Sequence, residues 1–233
     1  GSVDLSNYDY PKYIGSYAFA NCTGLNGNLI FSDLSEVKLI KIGEYAFYNC
    51  VGLTGQLNCT NLNYVDKYAF AGCTGLKKVT FSDNMRVFMH YVFANCTSLT
   101  GTIVISKNIR DIYEGCFYNC HSITDLYIDG NSIQSIPDYA FYNCSGLKGD
   151  LDIPFNFESI GKYAFYGTHF QKIVYLKTQP LKCGENAIPS DSIISVPSHY
   201  ISNEFCGVTL NKDIVPIETP APTIIPEVSE IVE

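Results

Sequence analysis

The sequence predicts a repeat solenoid, a coil in which one short unit is copied and stacked on itself, and three observations carry that prediction. Seven phenylalanines, Phe19, Phe47, Phe70, Phe93, Phe117, Phe141 and Phe165, return at spacings of 28, 23, 23, 24, 24 and 24 residues. Their neighbours return with them. Ile42-Gly43-Glu44-Tyr45-Ala46-Phe47-Tyr48-Asn49-Cys50 and Ile136-Pro137-Asp138-Tyr139-Ala140-Phe141-Tyr142-Asn143-Cys144 are one phrase written twice. After each phrase comes an apolar stretch of period two, plain in Leu76-x-x-Val79-x-Phe81 and Ile123-x-x-Leu126-x-Ile128, which reads as a strand with one buried face.

Each part of the unit follows from the thinness of such a coil. One unit cannot enclose an apolar interior, so its large side chains must stack on their copies above and below. Five residues before each Phe stands Ile14, Ile42, Val65, Phe88, Ile112, Ile136 or Ile160, and the residue just before it is small, usually Ala, where the cross-section leaves no room. The stretches 25–31, 53–59, 99–105 and 147–153 carry one extra residue, to be absorbed as a bulge. Between Phe31 and Ile42 the chain is longer than between Phe81 and Phe88, and that insertion is expected to leave the coil as a loop.

The phrase Ile-Gly-x-Tyr-Ala-Phe-x-Asn-Cys followed by Leu-x-x-Leu-x-Leu resembles the BspA-like class of leucine-rich repeats, over roughly Tyr13 to Tyr175. The resemblance implies an α/β-type leucine-rich-repeat coil, curved and right-handed, with a parallel sheet on its concave face and short helical or irregular turns on its convex face. It also implies a secreted or cell-surface protein of bacteria or parasitic protozoa with a role in adhesion. Pro180, Ala187-Ile188-Pro189 and Ile193-Ile194-Ser195-Val196-Pro197 resemble the closing strands of such arrays. The chain then divides into a lead-in over 1–12, in which Gly1-Ser2 reads as a cloning scar, seven repeats over 13–175, a cap over 176–217 and a Pro/Glu-rich extended tail over 218–233. The lead-in offers few apolar residues to cover Phe19, which leaves room for further repeats before it.

Cys22, Cys50, Cys73, Cys96, Cys120 and Cys144 recur three residues after each Phe. Stacked coils would hold them ~4.8 Å apart, inside the disulfide window, but each has two identical neighbours and the seventh copy is Thr168, so no pairing is specified. A buried ladder of free thiols is the reading. Cys183 and Cys206 lie outside the ladder, in the cap, and are the candidates for a disulfide if the protein is exported. The residue before each ladder position is Asn or Gly, namely Asn21, Asn49, Gly72, Asn95, Asn119, Asn143 and Gly167. Both types tolerate a left-handed backbone, so this column closes each coil with a turn. It also creates Asn-x-Ser/Thr motifs at Asn21, Asn95 and Asn143, with another at Asn58, where structural use outweighs glycosylation. Tyr48, Tyr118, Tyr142 and Tyr166 should face outward as half-covered spacers.

The net charge is −8, and Glu218, Glu227, Glu230 and Glu233 hold half of it in the tail, which argues against a nucleic-acid partner. No run of about 18 apolar residues marks a membrane span, and no leader opens the chain. His90, His121, His169 and His199 fall in no acid–base motif, Cys120-His121 is explained by the ladder, and no C-x-x-C pair marks a metal site. No enzyme, metal or cofactor is therefore expected.

Repeat proteins bind where their copies disagree. On the strands two rows differ: Asn28, Gln56, Lys78, Thr102, Asp125, Asp150, Lys172, and beside them Ile30, Asn58, Thr80, Val104, Tyr127, Asp152, Val174. The expected partner-binding face comprises Lys78, Thr80, Asp125, Tyr127, Asp129, Asp150, Asp152 and Lys172, with Asp125 and Asp150 opposed on adjacent strands. The leading reading is a non-enzymatic recognition or adhesion module that holds a host or microbial surface protein. Two others stay open: a spacer lifting another domain off the cell, and a glycan-binding accessory domain of a larger enzyme, against which the scarcity of aromatics on these rows counts.

Overall fold

The structure is a computed structural model that describes residues 3–4, 13–30, 41–59, 62, 64–81, 83–129 and 133–211. The insertion expected to loop out after Phe31, the tail over 218–233 and most of the lead-in lie outside the described residues.

The chain is a parallel β-solenoid in which strands of two kinds alternate. One series comprises β1 (Val3–Asp4), β3 (Leu29–Ile30), β5 (Gln56–Cys59), β7 (Lys78–Phe81), β9 (Gly101–Ile105), β11 (Ile123–Ile128), β13 (Asp150–Ile153), β15 (Lys172–Tyr175) and β17 (Ile194–Ser195). Between them run two-residue strands, β2 (Tyr13–Ile14), β4 (Lys41–Ile42), β6 (Tyr64–Val65), β8 (Val87–Phe88), β10 (Asp111–Ile112), β12 (Ser135–Ile136), β14 (Ser159–Ile160) and β16 (Lys182–Cys183). Each coil thus carries two strands where the sequence suggested one. All pairings within both series are parallel.

The expectation of helical turns is corrected: no helix occurs among the described residues. Hydrogen bonding explains why. In the second unit Ala46, Tyr48 and Cys50 donate their N–H three residues back, to Gly43, Tyr45 and Phe47, whereas Tyr45, Phe47 and Asn49 donate theirs to Lys67, Ala69 and Ala71 of the following coil. A helix would keep every N–H within its own segment. Here every second one binds coil to coil, and the segment becomes a run of β-turns. Tyr45 has φ 55° and Asn49 φ 57°, at the third position of their turns, which is the requirement of a type II turn.

The Asn and Gly column is left-handed at Asn21, Asn49, Gly72, Asn95, Asn119, Asn143 and Gly167, with φ between 56° and 77°. A second left-handed column went unread in the sequence: Tyr17, Tyr45, Tyr68, Tyr91, Tyr139 and Tyr163. Tyrosine lacks glycine's freedom, and the αL region costs an L-residue roughly 1–2 kcal/mol. Stacking offsets much of this, since Tyr45 lies between the rings of Tyr17 and Tyr68 with centroids 4.9 and 4.7 Å away, and such a pair contributes about 0.5–1.5 kcal/mol. The one gap is Gly115, where an added Cβ would strike the Tyr91 ring.

Inside the coil the phenylalanines form one unbroken stack from Phe19 to Phe165, with centroids 5.0–5.6 Å apart. Beside it the ladder cysteines are free, and all but Cys22 are buried. The thiols do more than fill space. The Sγ of Cys50, Cys73, Cys96, Cys120 and Cys144 donates at 3.0–3.3 Å to the carbonyl of the Phe one coil earlier, an oxygen that in every case already accepts a main-chain N–H. Burial pushes these thiols up, Cys50 to about 11 and Cys96 and Cys144 to about 12.

The coil runs on past Tyr175. β16 pairs with β14 and β17 with β15, Asn186 takes the left-handed tyrosine position with φ 48°, and Phe165 N–H binds the Ala187 carbonyl as Phe47 binds Ala69. Only then does an antiparallel hairpin of β18 (Glu204–Phe205) and β19 (Val208–Thr209) fold back, turning on left-handed Cys206 and Gly207. Phe205 is buried 5.1 Å from the Tyr175 ring, so the hairpin covers the last apolar layer. Cys183 and Cys206 are joined by a disulfide there, with Cα atoms 5.2 Å apart.

Candidate functional site

The variable rows lie on the odd-numbered strands, whose template residues point inward. In β13 the burial alternates strictly: Asp150 and Asp152 are exposed, Leu151 and Ile153 buried. The register keeps the rows aligned across paired strands, with Gln56 opposite Lys78, Asn58 opposite Thr80, Thr102 opposite Asp125, Val104 opposite Tyr127, Asp150 opposite Lys172 and Asp152 opposite Val174.

The face is not one sheet. Its strands pair as β1-β3-β5-β7, β9-β11 and β13-β15-β17, so the ladder stops twice. Both stops fall where a unit with the shorter apolar stretch, ending at Phe81 or Ile128, is followed by one with an extra residue. Where the longer β9 unit meets β11 the strands stay paired but the register slips between Ile123 and Asp125, a bulge that leaves Thr124 over. The register expected to oppose Asp125 and Asp150 is not formed, since β11 and β13 share no ladder; on its other side Asp150 is paired with Lys172. Asp125 instead accepts from the Thr124 hydroxyl at 2.7 Å and lies against Gly149, whose added Cβ would come 3.4 Å from its Oδ1.

The remaining acidic residues gather around Tyr127. Burial first, then the charges of Asp129 and Asp152, raises its phenol above the ordinary value. The Asp152 carboxyl is also raised, by burial first and then by Asp150, with Lys172 opposing. Asp150, Asp152, Tyr127, Asp129 and Lys172 thus form one electrostatic neighbourhood, with Asp125 at its margin. Lys78 and Thr80 sit in the first sheet, one ladder break from Tyr127 and two from Asp150 and Asp152. No group of three His, Cys, Asp or Glu among the described residues is arranged to hold a metal. Cys120 and His121 point to different partners, the Phe93 and Asn143 carbonyls, and form no dyad.

A second cluster, half-buried apart from exposed Tyr13, is not legible in the sequence because its members come from different coils. Lys41 Nζ stands 5.9 Å from the Tyr13 ring centroid, 4.9 Å from that of Tyr64 and 3.3 Å from Asp66 Oδ2. The only legible signal was the position before the buried apolar residue of each two-residue strand, which reads Tyr13, Lys41, Tyr64.

The family model described as BspA type leucine-rich repeat region matches residues 2–124 and 63–192, in six copies. No curated protein matches. Among solved structures, a leucine-rich repeat protein from Bacteroides ovatus is similar at 24% identity with a TM-score of 0.62, over 79% of this chain and 52% of that one. The T. pallidum leucine-rich repeat protein is similar at 20% identity with a TM-score of 0.52, over 74% of this chain and 66% of that one. At these identities the likeness is one of fold, and the chain spans about half to two thirds of either protein's length.

Proposed function

The chain belongs to the BspA-type leucine-rich-repeat family, and from that premise we propose that it is a recognition module of a secreted or surface protein, holding a protein partner on the face of its odd-numbered strands. No helix among the described residues is long and apolar enough to cross a membrane. The single observation that carries the reading is the acidic neighbourhood: Asp150 and Asp152 stand exposed on one strand beside Tyr127 and Asp129, with the Asp152 carboxyl held above its usual range at a cost to the free protein. A basic segment docked there would supply the missing positive charge and remove that cost. Lys172 supplies some of it already, which leaves a patch that is acidic but not closed.

The test selects displayed peptides on the immobilised domain. Binders should be rich in Lys and Arg, weaken with salt, and be lost on the variant with Asp125, Asp150 and Asp152 replaced by Asn. Peptides of no charge preference that bind the triple variant as well as the parent would end this reading, and the segment 32–41 would be the next place to look.

A further inference from the structure

The Asn-x-Ser/Thr motifs find no use in partner recognition, and the structure sorts those of the turn column into two kinds. The column is a ladder with a direction. Each Asn sends its Nδ2 back to the Oδ1 of the Asn one coil earlier: Asn49 to Asn21 at 3.0 Å, Asn119 to Asn95 at 2.9 Å and Asn143 to Asn119 at 3.1 Å. A rung's nitrogen is engaged when the preceding coil holds Asn and idle when it does not. Asn95 follows Gly72, which has no amide to offer. Its Oδ1 is taken by Asn119, its Nδ2 donates to no described residue, and it is exposed. Asn21 is exposed too and accepts from Asn49 through Oδ1, but the coil before it lies outside the described residues. Asn143 is the converse of Asn95, half-buried with its Nδ2 engaged. All three have the hydroxyl two residues on, in Thr23, Thr97 and Ser145.

We propose that Asn95 is an acceptor site for an N-linked glycan on the folded protein, and that Asn143, in the same motif, is not. The transfer forms a bond between Nδ2 and the anomeric carbon of the donor sugar, breaks that carbon's bond to the pyrophosphate of a lipid-linked oligosaccharide, and releases one Nδ2 proton; nothing is oxidised or reduced. It requires an amide nitrogen with room around it. Asn95 provides one. Asn143 would first have to give up its bond to Asn119. The column lies on the turns, so glycans there stand clear of the odd-numbered strands.

The test offers the native full chain to a purified single-subunit oligosaccharyltransferase with a lipid-pyrophosphate-linked oligosaccharide, and reads each site by peptide mass. Asn95 should be occupied about tenfold more than Asn143, the ratio that one ladder hydrogen bond of ~1.4 kcal/mol supports. Unfolding the chain first should bring both to similar occupancy. Gly72→Asn, placed where its neighbours in the column already hold Asn at left-handed φ, should give Asn95 a rung to bind and lower its occupancy about tenfold. Equal modification of Asn143 and Asn95 on the native chain overturns the proposal. So does a native Asn95 left bare, a chain that takes no glycan in either state, or a Gly72→Asn variant, shown folded by its melting curve, that glycosylates Asn95 as before.

Discussion

The turn side and the strand side of this solenoid are built from the same coils, yet only one of them is continuous. At the two boundaries where the ladder of odd-numbered strands stops, the even-numbered ladder stops as well, β6 sharing no ladder with β8 nor β10 with β12. The turns do not notice. Tyr68, Phe70 and Gly72 donate their N–H groups to His90, Val92 and Ala94 across the first boundary, and Gly115, Phe117 and Asn119 donate to Asp138, Ala140 and Tyr142 across the second. The phenylalanine stack crosses both. Cohesion therefore resides on the turn side, where side chains bind their own copies and so repeat. The strand side is released from that duty, and its residues and lengths vary.

The largest effect should come from cutting the turn side where neither strand ladder joins the coils. Phe117→Ala, beside the second boundary, should lower unfolding stability by about 3–5 kcal/mol in a denaturant titration. A loss no greater than that of a strand-face substitution would break the comparison. Replacing Cys183 and Cys206 together by Ser should cost about 2–4 kcal/mol, since the bond closes a loop of 23 residues over the last apolar layer; calorimetry with and without reductant reads it.

Alkali should attack the turn side selectively. The buried thiols have folded values raised above their unfolded value, 9.0, to about 11 for Cys50 and about 12 for Cys96 and Cys144. The unfolded chain loses these protons first, so their contribution is complete below pH 9 and disappears as pH rises toward 12, at up to ~1.4 kcal/mol per pH unit for each thiol. Melting temperature against pH should fall steeply above pH 9, and native thiols should resist alkylation at pH 8 until denaturant is added. Rapid labelling of several in the native state would remove this account.

Smaller effects separate the two jobs of the Asn column. Asn119→Gly keeps the left-handed backbone and loses the amide ladder, whereas Asn119→Ala loses both, so the glycine variant should be the more stable by roughly 1 kcal/mol. The smallest change belongs to the strand side. Because the Asp152 folded value is raised, its ionisation weakens the fold as pH rises through that value. Asp152→Asn should then be slightly more stable than the parent at pH 7 and indistinguishable near pH 3, which thermal melts at the two pH values would show. A loss of stability at pH 7 would mean the carboxylate serves the fold.

Much of the molecule was legible because each coil packs against a copy of itself. That constraint fixes which columns must be apolar, which must be small and which must turn, so the Phe stack, the buried thiols and the left-handed Asn and Gly column could all be read from recurrence. The strand rows were legible too, since period two assigns faces without reference to neighbours. Recurrence could not say where a row is interrupted, and so Asp125 was set opposite Asp150 when a ladder break lies between them.

The sequence by itself determined the period, the inward residues and the register within each run of like units, because those depend on contacts between equivalent positions. Only the tertiary structure decided what depends on unlike positions. The turns are not helical because alternate N–H groups of Tyr45, Phe47 and Asn49 find carbonyls in the next coil, a choice made only when the coils are stacked. The coil runs one degenerate turn past Tyr175 because Asn186 and Ala187 can take the main-chain roles of Tyr163 and Ala164 without sharing the full phrase. Cys183 meets Cys206 because the last hairpin folds back to bury Phe205, and it is burial of that apolar layer, with no counterpart in the repeat, that brings their Cα atoms within 5.2 Å.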